Sequence, residues 1–289
     1  MIATSVFLGP SRAPGVDFWV SFFAVRAVPI EPYFDQKEPS EDAEIWRFMS
    51  FRKFEDLMGT EELYFRRADL FPQDDEECIP DEEYLRLIMG TDRFVLQDET
   101  ELNHQIGSLS QMREVYYVSC WHLFRKEHPA MWDEFGKDGI AACSRYDLLK
   151  AVLDRMVERT HLGLVQYGDT HLRQGMRMNV LQFITTKRQR FASECEVRAF
   201  IEYGDPFAGH NLHFDANNFP HRRPLPENEP YRHHWVHDHK RRRIDLNDLI
   251  RSVVLSPYAS EETAATTRQW MQARNLPGHV RWSDLKNAE

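Results

Sequence analysis

The chain has 289 residues, long enough for one large domain or two of ordinary size. Its 42% apolar and 12% aromatic content allows a sizeable buried core. With 36 basic against 46 acidic residues the formal charge is −10, which excludes a globally basic nucleic-acid coat while leaving room for a local basic patch.

No run approaches the roughly 20 uninterrupted apolar residues of a membrane helix, so no membrane association is expected. Met1–Pro10 lacks a positively charged n-region, and the first apolar run, Phe18–Ile30, is broken by Arg26 and Pro29. The reading is a cytoplasmic protein of bacterial style with no secretory signal. Cys78, Cys120, Cys143 and Cys195 are scattered without a CxxC pair, which argues against a disulfide scaffold or a zinc ribbon.

In chain order, residues 1–42 read as an N-terminal extension, with strand-like Val16–Val28 followed by a polar linker, Glu31–Asp42. Residues 43–289 read as one α+β domain, a mixed sheet with flanking helices. It opens with a strand at Ile45–Phe48, then a helix capped by Ser50 with apolar face Phe51, Phe54, Leu57 and Met58, ended by Gly59. A strand at Leu63–Phe65 precedes the acidic loop Gln73–Glu77. Val115–Trp121 and Gly139–Cys143 are β-prone, and Ser144 with Asp147 resembles a capping box opening a helix striped by Leu148, Leu149, Val152, Leu153 and Met156.

Leu162–Tyr167 and Val180–Ile184 read as further strands. Glu194–Tyr203 alternates, with Cys195, Val197, Ala199, Ile201 and Tyr203 on one side and Glu194, Glu196, Arg198, Phe200 and Glu202 on the other. Residues 204–243, rich in Gly, Pro, His and Arg, read as a long insertion. The chain closes with a helical turn at Leu246–Leu249, a strand at Arg251–Leu255, a helix at Glu261–Arg274 and a strand at His279–Trp282. Strands and helices do not alternate strictly, which favours the α+β class over α/β.

Three constellations carry candidate chemistry. Glu194 and Glu196, at i and i+2 of one strand, would lie about 7 Å apart on one face. Two like charges so close in a cleft would push one pKa up, which suits acid/base or cation-stabilising work; a solvated strand face is the plainer reading. Asp74, Asp75, Glu76 and Glu77, with Glu194, Glu196 and Lys187, would suit Mg²⁺ in a nuclease, or form only an acidic surface loop. The insertion gathers Arg232, Lys240, Arg241, Arg242 and Arg243 with Tyr231 and Trp235, a pattern for phosphate contact and base stacking on DNA or RNA, or for a solvated loop. His233, His237 and His239 lack an evident fourth zinc ligand.

The order of landmarks resembles the family catalogued as domain of unknown function 2971, found in bacteria and their phages. The match runs from about Trp46 to Leu285. It rests on the strand Glu62-Leu63-Tyr64-Phe65, the acidic segment from Phe71 to Glu77, and Val118-Ser119-Cys120-Trp121. Further on it includes Met131-Trp132, Gly139, Lys187, Phe191, Glu194-x-Glu196-x-Arg198 and the tail Leu249–Pro257. The family's His-Tyr after Met-Trp is Glu134-Phe135 here, and the loop after Tyr203 is longer.

Arg47 on an early strand, Ser119 on a middle one and Glu-x-Glu on a late one also resemble ADP-ribosyltransferases. That resemblance implies that Arg47 holds NAD, Ser119 supports the nicotinamide ribose, and Glu196 hydrogen-bonds its 2′-hydroxyl. Glu194 would activate the acceptor, with Tyr64 or Phe65 stacking on nicotinamide. Read from the residues alone, Arg47 also fits a surface strand position and Ser119 a packed hydroxyl. The resulting expectation is an NAD-dependent toxin or phage-defence effector that modifies a macromolecule. The defence setting is implied by the family's company, and the partners considered are a macromolecular acceptor, DNA or RNA among them, and an antitoxin or activator protein. The alternatives are the Mg²⁺-dependent nuclease and a non-catalytic nucleic-acid-binding module.

Overall fold

The computed structural model describes residues 36–71, 113, 116–124, 127, 129–156, 160–168, 184–202, 212–214, 220–222, 238–276 and 278–287. The expected strands within Val16–Val28, the acidic loop Gln73–Glu77, Val180–Phe183, and Arg232, His233 and His237 lie outside these residues. Ile184, the described end of that expected strand, is helical.

The chain enters through β1 (Glu44–Met49), α1 (Phe51–Thr60) and β2 (Glu62–Arg67). Phe54, Leu57 and Met58, at helical spacing, are the buried face of α1 as the sequence predicts. The end of α1 is set differently: Glu61, at φ 56° and ψ 37°, takes the left-handed cap and donates its N–H to Leu57, while Gly59 stays inside the helix.

Next come β3 (Tyr116–Leu123), α2 (Pro129–Phe135), β4 (Ile140–Arg145) and α3 (Tyr146–Leu153). Gly139, just before β4, permits a close backbone approach, since a Cβ there would stand 1.9 Å from the Met49 carbonyl oxygen. The expected capping box does not form. Ser144 lies inside β4 and donates its hydroxyl to the Leu249 carbonyl at 2.5 Å, while Asp147 pairs with Arg145.

β5 (Thr160–Leu164), β6 (Gln166–Tyr167), β7 (Thr186–Lys187) and β8 (Glu196–Glu202) follow. A short hairpin of β9 (Leu212–Phe214) and β10 (Pro220–Arg222) lies within the insertion. The chain ends with β11 (His239–Arg243), α4 (Leu246–Leu249), β12 (Ser252–Leu255), α5 (Glu261–Ala273) and β13 (Val280–Trp282).

Nine of the strands form one mixed sheet, which with its helices makes a single α+β domain. Most of the hydrophobic core lies on one face. Tyr117 and Trp121 of β3, Val197, Ala199 and Ile201 of β8, and Leu63 and Phe65 of β2 pack there with Phe54, Leu149, Leu249 and Met271 from the helices. On the other face Trp46, Ala141, Cys143 and Val254 pack with Trp132 of α2 in a smaller cluster. Strand alternation therefore sends neighbouring residues of β3 and β8 into two different environments.

The connectivity around β3 creates an opening. One edge of β3 pairs with β8 throughout, from Tyr116↔Glu202 to His122↔Glu196. The other edge is shared: β2 pairs at Tyr117 and Val118, and β1 at His122 and Leu123. β1 and β2 are both antiparallel to β3, so they run parallel to each other and diverge. Between them, Ser119, Cys120 and Trp121 have no ladder partner on that edge among the described residues. The sheet forks there.

Residues 37–41, assigned to the polar linker, are fastened to this body. Leu164 N–H donates to Lys37, Asp147 N–H to Glu41, and Glu38 accepts from Lys150 and the Tyr146 hydroxyl. The run Lys240–Arg243, assigned to the insertion, is instead an edge strand paired with β2 over its length. Among the described residues no helix is long and apolar enough to cross a membrane.

Candidate active site

The residues singled out by sequence separate into two groups, one on the face opposite the main core and one at the fork. The first group forms around the start of β8. Glu196 and Arg198 alternate with the core residues Val197 and Ala199, so both point to the face shared by Cys120 and His122 of β3. Arg198 grips Glu196 in a bidentate pair, Nε to Oε1 at 2.6 Å and Nη2 to Oε2 at 2.8 Å, and donates Nη1 to the Ile184 carbonyl at 2.6 Å. Lys187 stands 3.3 Å from Glu196 and 2.8 Å from Glu194. The Cys120 thiol also donates to the Glu196 carboxylate. With Arg198, Lys187 and Cys120 all donating, the acceptor sites of Glu196 are filled.

Glu194 does not share a strand with Glu196, contrary to expectation. It ends a 3-10 turn, Gln189–Glu194, and Cys195 at φ 45° reverses the backbone before β8 begins. That kink lets both carboxylates converge on Lys187. Cys195 is consequently only half-buried, outside the apolar face where alternation would put it.

The electrostatics also differ from the expected like-charge pair. Burial opposes ionisation of Glu196, but Arg198 and Lys187 outweigh it and hold the carboxyl well below its ordinary range. Two carboxylates and two cations leave the group neutral overall. Sequence reasoning missed His122, which lies against this group. Its Nδ1 sits 3.0 Å from the Glu194 carbonyl oxygen, an acceptor only, so Nδ1 carries the proton. Burial pulls the imidazole down to about 4 against the opposing influence of Glu196, keeping it neutral near pH 7. Tyr167 closes the group by accepting the Glu196 N–H at 2.8 Å. Phe71 lies 5.5 Å from the Arg198 guanidinium, which brings the start of the acidic segment to this group, although Asp74–Glu77 themselves are outside the described residues.

The second group occupies the fork. Arg47 follows Trp46 in β1 and spans the gap, donating Nη2 to the Tyr64 carbonyl of β2 at 3.0 Å with its guanidinium 5.7 Å from the Trp121 ring centre. No carboxylate pairs with it among the described residues, and burial lowers it to about 10. Ser119 and Trp121, each 1% exposed, face the same side as Arg47. Neither the Ser119 hydroxyl nor the Trp121 Nε1 has a hydrogen-bond partner among the described residues. Such orphans are uncommon in a protein interior and mark places where a ligand or water completes the site.

The remaining predicted contacts fare unequally. Phe65 is fully buried in the main core, which removes it from any stacking on a ligand. Tyr64 stacks on His239 at 4.9 Å, with Arg241 over its ring. Lys240 is buried with its ammonium 5.3 Å from the Tyr117 ring, and Arg241 pairs with Asp56 and Glu62. Arg243 keeps most of its side chain in solvent, 82% exposed, and meets Glu61 at 3.4 Å. The basic run is therefore largely tied into an edge strand.

Arg47 and Ser119 thus share the core side of the fork, whereas Glu194 and Glu196 lie on the opposite face of the sheet, locked in ion pairs. Among the described residues no three His, Cys, Asp or Glu side chains are grouped to hold a metal ion. Comparison of the chain with protein-family models, with curated proteins and with solved structures finds no match in any of the three.

Proposed function

We propose that the chain is an NAD-dependent ADP-ribosyltransferase related to domain of unknown function 2971, acting on a macromolecule in a toxin or phage-defence setting. The observation that carries this reading is Arg47, a desolvated guanidinium with no carboxylate partner among the described residues, on the same side of the forked sheet as the orphaned Ser119 hydroxyl. A cation in that state is completed by an anionic ligand, and the hydroxyl offers a hydrogen bond to a ribose.

In the transfer, the C1′–N bond of NAD breaks with its electron pair leaving on nicotinamide. The ribose carries oxocarbenium charge until the acceptor's lone pair bonds to C1′ and its proton departs to a base. The resemblance assigns that charge to Glu196 and the proton to Glu194, but both lie across the sheet from Arg47 and Ser119, so the reading rests on the fork residues and leaves these two roles without support from the geometry. In the ion-paired arrangement Glu196 has no acceptor site left for a ribose hydroxyl, so the reading requires Arg198 or Lys187 to release it when NAD binds. Nucleic acid is the preferred acceptor, although the support from the basic run narrows to the largely exposed Arg243.

The test is mass spectrometry of purified protein with isotope-labelled NAD and cell extract. Nicotinamide release with label on a macromolecule is expected, reduced by about 10–100-fold in Ser119→Ala and Arg47→Met, the loss that one or two charge-assisted contacts imply. Intact NAD in every condition overturns the proposal, and Mg²⁺-dependent cleavage of nucleic acid under the same conditions would replace it. Glu196→Gln is informative only beside a folding measurement, because it leaves Arg198 buried without its partner.

A further inference from the structure

A second concavity lies where β11 ends. A cleft of about 660 Å³ opens there between the C-terminal ends of α1 and α3 and the corner that joins β11 to α4. Its floor is apolar: Val152, Met156 and Ile244 line it and belong to the main core. Its polar lining is Glu61, Arg155, Arg242, Arg243, Asp245 and Asn247. The size falls within the range of about 300–1,000 Å³ usual for ligand clefts.

The carboxylates of the lining are already engaged. Glu61 meets Arg274 and Arg243, and Asp245 caps α4 by accepting the Asn247 N–H at 2.9 Å. The guanidinium groups keep donors to spare. Arg155 gives Nη1 to Asp248 at 2.6 Å and Nε to the Ala151 carbonyl at 3.1 Å, which leaves Nη2 on a side chain 59% exposed. The Arg243 side chain meets only Glu61 among the described residues, at 3.4 Å. Arg242 adds a third guanidinium, with Nη1 on the Arg241 carbonyl. In a chain of net charge −10, three arginines around one apolar floor go against the average. The cleft also lies near the fork. Arg243 pairs with Glu62, two residues before Tyr64, whose carbonyl accepts from Arg47. That is about 7 Å along β2, and α1 and α3 cover the core side of the sheet that Arg47 and Ser119 share.

We propose that this cleft docks single-stranded nucleic acid, with phosphates on Arg155 and Arg243 and a base laid against Val152, Met156 and Ile244. Its role as the seat of the acceptor rests on the transferase reading above; the docking itself does not. Planar guanidinium forks match phosphate oxygens. A base covers the apolar floor, which a chain of carboxylates would leave wet. A strand held there has nucleotides beside the fork, on the side of the sheet where the reading seats NAD.

The experiment is a fluorescence-anisotropy titration of labelled oligothymidylate and oligouridylate with the full chain, without NAD, over a series of salt concentrations. The variants are Arg155→Gln, Arg243→Gln, Asp248→Asn and, as a control at an exposed α5 position, Arg268→Gln. Saturable binding is expected for at least one of the two strands. Each cleft arginine removed should weaken it about three- to tenfold and flatten the slope of log affinity against log salt by roughly one, with the control unchanged. Asp248→Asn frees Arg155 without removing it and should tighten binding about two- to threefold. No binding of either strand, equal weakening in Arg268→Gln, or displacement by polyglutamate as readily as by unlabelled strand overturns the cleft as a nucleic-acid dock. A parallel NAD assay separates the two proposals. Intact NAD with Arg155-dependent strand binding removes the transferase and keeps the dock. NAD cleaved while strand affinity is the same in every variant removes the dock and keeps the transferase.

Discussion

Two charged regions lie on either side of β3 and are built on opposite terms. At the start of β8, Glu194, Glu196, Lys187 and Arg198 neutralise one another within 2.6–3.3 Å. At the fork, Arg47 has no carboxylate partner among the described residues. A closed ion network stabilises a fold only while every member is present. A desolvated guanidinium without such a network contributes little to folding and keeps its electrostatic capacity for a ligand. The difference separates residues that hold the sheet together from residues that are free to bind.

Substitutions that treat the regions alike should therefore give unlike results. The largest effect belongs to Arg198→Met, which strands Glu196 without its bidentate partner and should cost about 3–5 kcal/mol in urea unfolding. A loss under about 1 kcal/mol would break the contrast. Next comes pH. His122 is held at about 4 against an ordinary 6.5, so between those values the unfolded chain binds a proton that the folded one refuses. Stability is thus lost as pH falls from 6.5 towards 4, by roughly 3 kcal/mol from this group, and His122→Gln should flatten that limb. Glu196 adds a loss of the same sign at lower pH, as its depressed carboxyl becomes protonated.

Arg47→Met should change stability by less than about 1 kcal/mol, since removing a desolvated, uncompensated charge offsets the lost bond to the Tyr64 carbonyl. A destabilisation equal to that of Arg198→Met would erase the distinction between the regions. The smallest effect is expected for Arg243→Ala, which breaks an exposed pair with Glu61 and should cost no more than about 0.5 kcal/mol by the same unfolding assay.

Much of the fold was legible where spacing alone decides the outcome. The 3.6-residue stripe of α1 and the two-residue alternation of Val197, Ala199 and Ile201 both follow from which side must be buried. Local chemistry misled where tertiary partners competed for it. Ser144 looked like a helix cap but serves the Leu249 carbonyl, and Lys240–Arg243 read as a basic insertion for nucleic acid, whereas an edge strand buries the Lys240 stem over an aromatic ring. For the candidate site, the order Lys187, Glu194, Glu196, Arg198 was readable as a motif. Its electrostatic sign was not, because the left-handed kink at Cys195 reshapes the pair. His122 is 72 residues from the carbonyl it bonds, and Arg47 reaches the Tyr64 carbonyl only through the forking of β1 and β2 about β3.

The measurement that bears most directly on this division is calorimetric titration of NAD into wild type and Arg47→Met, each checked for native far-UV circular dichroism. The account predicts one NAD bound per wild-type chain and at least about tenfold weaker binding by the equally folded variant. No binding by wild type, or equal affinity in the two proteins, would contradict it.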